Sequence, residues 1–141
     1  MDRGDFYASC GVDLEDVVAD AETGRLTVSV PAKEGVSYTI RFVGTKRDFE
    51  SGVRGTVHFA GAPAQSIGPR DYPLYSDKIG ITLKSVSGKP GERVEASYAL
   101  QDDDLYVRAI VESSEPVTGY AKTSYQHPQH KLAWTQPIRR P

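Results

Sequence analysis

Apolar and polar residues alternate along most of this chain with a period of two. In Arg25-Leu26-Thr27-Val28-Ser29-Val30, the residues Leu26, Val28 and Val30 share one face, which is the pattern of a half-buried strand. Leu14 to Ala19 is apolar enough to be its partner. Between them, Asp20-Ala21-Glu22-Thr23-Gly24 supplies turn chemistry and a glycine free to take positive φ, so the two segments read as a hairpin. One or two turns of helix over residues 13–21 are the alternative, opposed by the β-branched pair Val17-Val18.

The same alternation recurs at Val36 to Phe42, Val53 to Phe59, Ile79 to Val86, Val94 to Leu100 and Leu105 to Val111, with a last short strand around Leu132-Ala133-Trp134. Tyr38, Tyr98 and Trp134 fall on inward positions and are expected in the core. Ser87-Gly88-Lys89-Pro90-Gly91 and Gln101-Asp102-Asp103-Asp104 are dense in turn formers. No segment holds a helical period for three turns, so the helices that a parallel sheet requires are missing. The expected fold is all-β: an antiparallel two-sheet β-sandwich, immunoglobulin-like or jelly-roll-like, of about eight strands. It should span residues 13–138, with 139–141 as a tail. Two connections exceed hairpin length. Residues 44–52 are charged, and residues 61–78 carry three prolines with Tyr72 and Tyr75; a loop of that length is either functional or a cover over an open sheet edge.

A chain of 141 residues is the size of one domain with one core. Its formal charge of −2 gives no electrostatic reason to expect nucleic acid. Met1-Asp2-Arg3-Gly4-Asp5 lacks the basic start and apolar run of a signal peptide, and no stretch approaches a membrane span, so the chain reads as soluble with no membrane partner. Cys10 is the single cysteine; no internal disulfide can form, and the fold must stand on packing.

Few residues carry chemistry. His127-Pro128-Gln129-His130 sets two imidazoles three apart and could begin a zinc-like site. Pro128 opposes the helix that would align them, and the remaining ligands would have to come from elsewhere. Cys10 is a nucleophile only if a histidine or a helix N-terminus lowers its pKa; otherwise it packs as a small hydrophobe. Asp102-Asp103-Asp104 lacks the ligand spacing of a calcium loop and reads as a solvated turn. Arg3-Gly4-Asp5 matches a cell-adhesion tripeptide that recurs by chance. The eight tyrosines and one tryptophan outnumber the four phenylalanines, and tyrosine tolerates half-exposed settings. Tyr72, Tyr75, Tyr120 and Tyr125, all in expected loops, are therefore candidate platforms for a sugar ring.

Two segments at opposite ends resemble a known family. Arg3-Gly4-Asp5-Phe6-Tyr7-Ala8-Ser9-Cys10-Gly11-Val12 resembles the segment that follows the last helix of the catalytic domain in PHP-type metallohydrolases, the polymerase and histidinol phosphatase superfamily. Residues 104–114, with Ala133-Trp134-Thr135-Gln136-Pro137-Ile138, resemble the closing strands of the accessory domain in some of those proteins, and Tyr38 to Thr45 fits the same picture. The resemblance implies that residues 1–12 correspond to the end of a PHP catalytic domain whose barrel would lie N-terminal to this chain, which is then either a piece of a longer enzyme or a protein that stands alone without that barrel. It also implies that the metal ligands lie elsewhere, because His-x-His is absent here and the histidines are only His58, His127 and His130.

The function expected on these grounds is a non-catalytic accessory module, with the parent PHP-type catalytic domain or a second copy as partner and no cofactor. The alternatives are a carbohydrate-binding sandwich that holds polysaccharide on its loop tyrosines, and a small metal-dependent hydrolase using a divalent ion such as zinc at His127 and His130.

Overall fold

The computed structural model describes residues 7–52, 55–59, 70–74, 76–117 and 130–139; of Val57, Phe59 and residues 70–74 it describes the backbone alone. The hairpin expected at residues 14–30 is present. Strand β2 (Asp16–Asp20) pairs antiparallel with β3 (Arg25–Val30), and Val17 lies opposite Val28. Gly24 turns the corner at φ 64°, a conformation that costs glycine nothing and side-chain-bearing residues a good deal. Asp20 fixes the turn from the other side, accepting from the backbone N–H groups of Glu22 and Thr23 and from the Thr23 hydroxyl. The alternation then does what its period requires: Leu26, Val28 and Val30 are fully buried, each contributing about 1.5–3 kcal/mol of burial.

β8 (Val94–Ala99) flanks β3 on its other side, giving a three-stranded sheet in the order β2-β3-β8. The second sheet is built on two long central strands. β4 (Tyr38–Lys46) and β9 (Asp104–Pro116) pair from Tyr38 opposite Ser113 to Lys46 opposite Asp104. β7 (Ile81–Ser87), β10 (His130–Thr135) and β1 (Tyr7–Ser9) complete the order β1-β10-β9-β4-β7. The inward row Ile40, Val111 and Ala133 is completely buried, and with Phe42, Val107 and Ala109 it meets Leu26, Val28 and Val30 of the opposite sheet in one core. Across the interior the ring of Phe42 stacks on that of Tyr98, centroids 5.8 Å apart and planes 27° from parallel.

The fold is thus the expected antiparallel two-sheet sandwich, eight strands in two sheets of five and three. Beside them, β5 (Gly55–Phe59) and β6 (Arg70–Leu74) form a ribbon of their own. Part of the long connection expected over residues 61–78 is therefore a strand. Pro73 lies within β6, compatible with a ribbon that has a partner on one side only. At the N-terminal side, Tyr7–Ser9 pairs with β10, and Val12, 1% exposed, sits in the core. The sandwich therefore takes in residues before the expected boundary at 13. The Ser9 hydroxyl accepts from the N–H groups of Gly11 and Val12, bending the chain between the two sheets.

One core assignment needs correction. Tyr38 is buried and Tyr98 packs against the core, but Trp134 is 37% exposed. The alternation in β10 puts Ala133 inward, and Trp134 takes the outer face of the five-stranded sheet.

Candidate functional site

Two groups of the described polar residues bear on a site. The first lies at the turn between β8 and β9, where Asp104 is buried with no exposed side-chain surface. Its Oδ1 accepts from Lys46 Nζ at 2.8 Å; its Oδ2 accepts from the Tyr98 hydroxyl at 2.7 Å and from the Gln101 N–H at 2.8 Å. Burial pushes this carboxyl up, but these three donors outweigh it and hold the pKa below the ordinary value. Burial, with the neighbouring carboxylate, pushes Tyr98 up to about 12. Bonds to Asp104 and Asp103 raise Lys46 further above the lysine range. Arg47 Nε donates to the Asp104 carbonyl. The expectation of a solvated Asp102-Asp103-Asp104 turn fails at its third residue: Asp104 opens β9 and faces inward. Every lone pair of this carboxylate that the network uses is taken by the protein itself, so the cluster pins the β8–β9 corner to β4 rather than presenting a reactive group.

The second lies on the outer face of the five-stranded sheet. Trp134 on β10 lies opposite Ile110 on β9, and Ile110 lies opposite Arg41 on β4, so the three form a row across the strands. Two residues along β9 in either direction stand Arg108 and Glu112, on the same face. Glu112 Oε1 is 3.0 Å from His130 Nδ1, and its Oε2 is 3.5 Å from a terminal nitrogen of Arg41. The Nε atoms of Arg41 and Arg108 are buried and, among the described residues, have no hydrogen-bond partner. A buried donor left unpaired costs about 1–3 kcal/mol.

Of the residues singled out from the sequence, His130 lies on this face, held by Glu112. Cys10 is exposed; its Sγ accepts from the Leu132 N–H at 3.2 Å while its own N–H bonds the Leu132 carbonyl, so it closes the end of the β1–β10 pairing. Tyr72 lies in β6 opposite Val57. Its side chain lies outside the described residues, as do Tyr75, Tyr120, Tyr125 and His127. Among the described residues, no three His, Cys, Asp or Glu side chains are grouped so as to hold a metal ion, and no helix is long and apolar enough to cross a membrane. Sequence reasoning missed Trp134, Arg41 and Arg108. The available signal was the choice of arginine at outward positions of the two longest apolar strands, but it becomes a surface only once the register of β4, β9 and β10 is known.

No protein-family model and no curated protein matches the chain. Among solved structures, the parasporin-2 toxin of Bacillus thuringiensis, described as recognising cancer cells, aligns at 10% identity over 96% of this chain and 71% of its own, with a TM-score of 0.13. A likeness of that size carries no argument about fold or function.

Proposed function

We propose that this chain is a non-catalytic accessory module that binds a protein partner through the outer face of its five-stranded sheet, the partner being a metal-dependent catalytic domain of the PHP type that its terminal segments resemble. One observation carries the reading: Trp134, 37% exposed, lies on the same sheet face as two arginines whose Nε donors lack partners among the described residues. Tryptophan and arginine are the residues that most often dominate protein interfaces, because one supplies a large rigid area and the other a planar fork of donors. The Arg41 side chain is 39% exposed, so its terminal nitrogens, rather than the buried Nε, are placed to meet carbonyl or carboxylate acceptors on a partner. The polar cluster at Asp104 is by contrast consumed by the fold.

The test is sedimentation of the purified chain with a PHP-type catalytic domain that lacks its own accessory domain. A complex that Trp134→Ala and Arg108→Ala each weaken by about tenfold or more supports the reading. Failure to associate at about 100 μM, or a complex indifferent to both substitutions, overturns it. So does turnover of phosphate esters by the chain alone.

The exposed indole also favours a second reading, a carbohydrate-binding sandwich in which Trp134, rather than the loop tyrosines, carries the sugar ring. Affinity electrophoresis on soluble glucans and xylans separates the two: retardation abolished by Trp134→Ala selects the carbohydrate, and free migration on all of them removes it.

A further inference from the structure

The three-stranded sheet ends at β2, and among the described residues no strand lies on the far side of β2. An edge strand leaves alternate N–H and C=O groups without partners and is a template for another chain. The other edges of the two main sheets differ. β1 has three residues. On the side where β7 and β8 meet, Lys84 of β7 reaches across to the Ser97 carbonyl of β8 at 2.8 Å, tying the two sheets together. Among the described residues β2 has no such cover, and Val18 at its centre is 50% exposed, more than any other large apolar residue described as exposed.

The side chains along this edge specify what could pair with it. Val17 and Ala19 turn inward and pack against the core, so Asp16, Val18 and Asp20 project from the outer surface. Beside them runs a groove of about 330 Å³ lined by Glu15, Asp16, Val18, Thr27, Arg93 and Glu95, among others. Arg93 is held between two carboxylates, Glu15 Oε2 at 2.6 Å from its Nε and Glu95 Oε2 at 2.8 Å from an Nη. With Asp16 the groove lining holds three carboxylates and one guanidinium, and the local charge is negative. A second copy of β2 fits poorly here: an antiparallel pair centred on Val18 sets Asp16 against Asp20 at both ends, and like charges directly opposite destabilise a strand pair.

We propose that the free edge of β2 binds an extended, basic segment of a partner protein by strand addition. Main-chain hydrogen bonds give the affinity, and a basic–x–apolar–x–basic pattern gives the specificity, its two cations opposite Asp16 and Asp20 and its apolar residue on Val18. The pattern reads the same in either chain direction, so it fixes the residue types and leaves parallel or antiparallel pairing to the backbone. This edge belongs to the opposite sheet from the Trp134 face, and the two proposals stand or fall separately.

The probe is a capped synthetic peptide with lysine, valine and lysine at alternate positions and threonine between, titrated into the isotope-labelled full chain and followed by amide shifts and by fluorescence anisotropy. The expected result is saturable binding centred on residues 16–20, weakened by salt. Replacing both lysines by glutamate, or making Asp16→Lys, should weaken it about tenfold or more. Val18→Lys, which places a charge on the edge, is an independent variant with the same expected loss; amide shifts away from β2 report whether each variant is folded. Absence of binding at about 1 mM, equal binding of the glutamate peptide, or shifts centred elsewhere overturns the proposal. Peptide-free self-association that protects residues 16–20 assigns the edge to a second copy and overturns it equally.

Discussion

The Tyr98 hydroxyl donates to Asp104 Oδ2 at 2.7 Å while the Tyr98 ring lies against Phe42. One side chain thus belongs to the three-stranded sheet, stacks on the five-stranded sheet and anchors the turn between β8 and β9. Tyr98→Phe keeps the stack and removes the bond, and should cost about 1 kcal/mol in urea unfolding. Asp104→Asn also loses the charge opposite Lys46 and should cost about 2–3 kcal/mol. The double variant should fall short of the sum, because both singles break the same hydrogen bond.

The same cluster sets the pH dependence. The Asp104 pKa is held below its usual value of 3.8. Its stabilising contribution is present above that value and is lost as pH falls through the lowered folded pKa. Tyr98 is raised from 10.0 to about 12, so its contribution is full below pH 10 and lost as pH rises through about 12. Melting temperature should therefore fall at both extremes. Asp104→Asn should flatten the acid limb and Tyr98→Phe the alkaline limb; parallel profiles in wild type and variants would contradict the assignment.

Gly44 sits where the five-stranded sheet leaves no room for a side chain. A Cβ there would lie 2.4 Å from the Tyr106 carbonyl oxygen and 2.7 Å from Leu83 Cδ1. Because the nearer obstacle is backbone on a paired strand, relief requires moving β4 from β9. Gly44→Ala should destabilise by about 2–3 kcal/mol despite adding one methyl group, measurable as a lower urea midpoint.

Phe42 is fully buried between the sheets. Phe42→Ala should cost about 3–5 kcal/mol, whereas Trp134→Ala, on the outer face, should cost about 1 kcal/mol or less. Comparable losses at the two positions would place Trp134 in the core, as its alternation suggested.

The sandwich was legible because its strands obey the period-two rule on one face: Leu26, Val28 and Val30 announce themselves, and Gly24 marks the turn. Trp134 shows where this fails. In a short strand, a shift of one residue exchanges the faces, and only the pairing of Ala133 with Val111 settles which side is inward. Asp104 fails for another reason. Its composition is that of a solvated turn, and its burial depends on Lys46, a residue 58 positions away in sequence. The outer face was illegible for the same reason, since Arg41, Arg108 and Trp134 come from three strands.

Trp134 is the chain's one tryptophan, so replacing it with 5-fluorotryptophan gives a single fluorine resonance on the proposed interface. Titration with a PHP-type catalytic domain should shift or broaden that resonance saturably, and Arg108→Ala should weaken the titration about tenfold. A resonance that stays fixed in position and width while the catalytic domain is added to about 100 μM would contradict binding through this face.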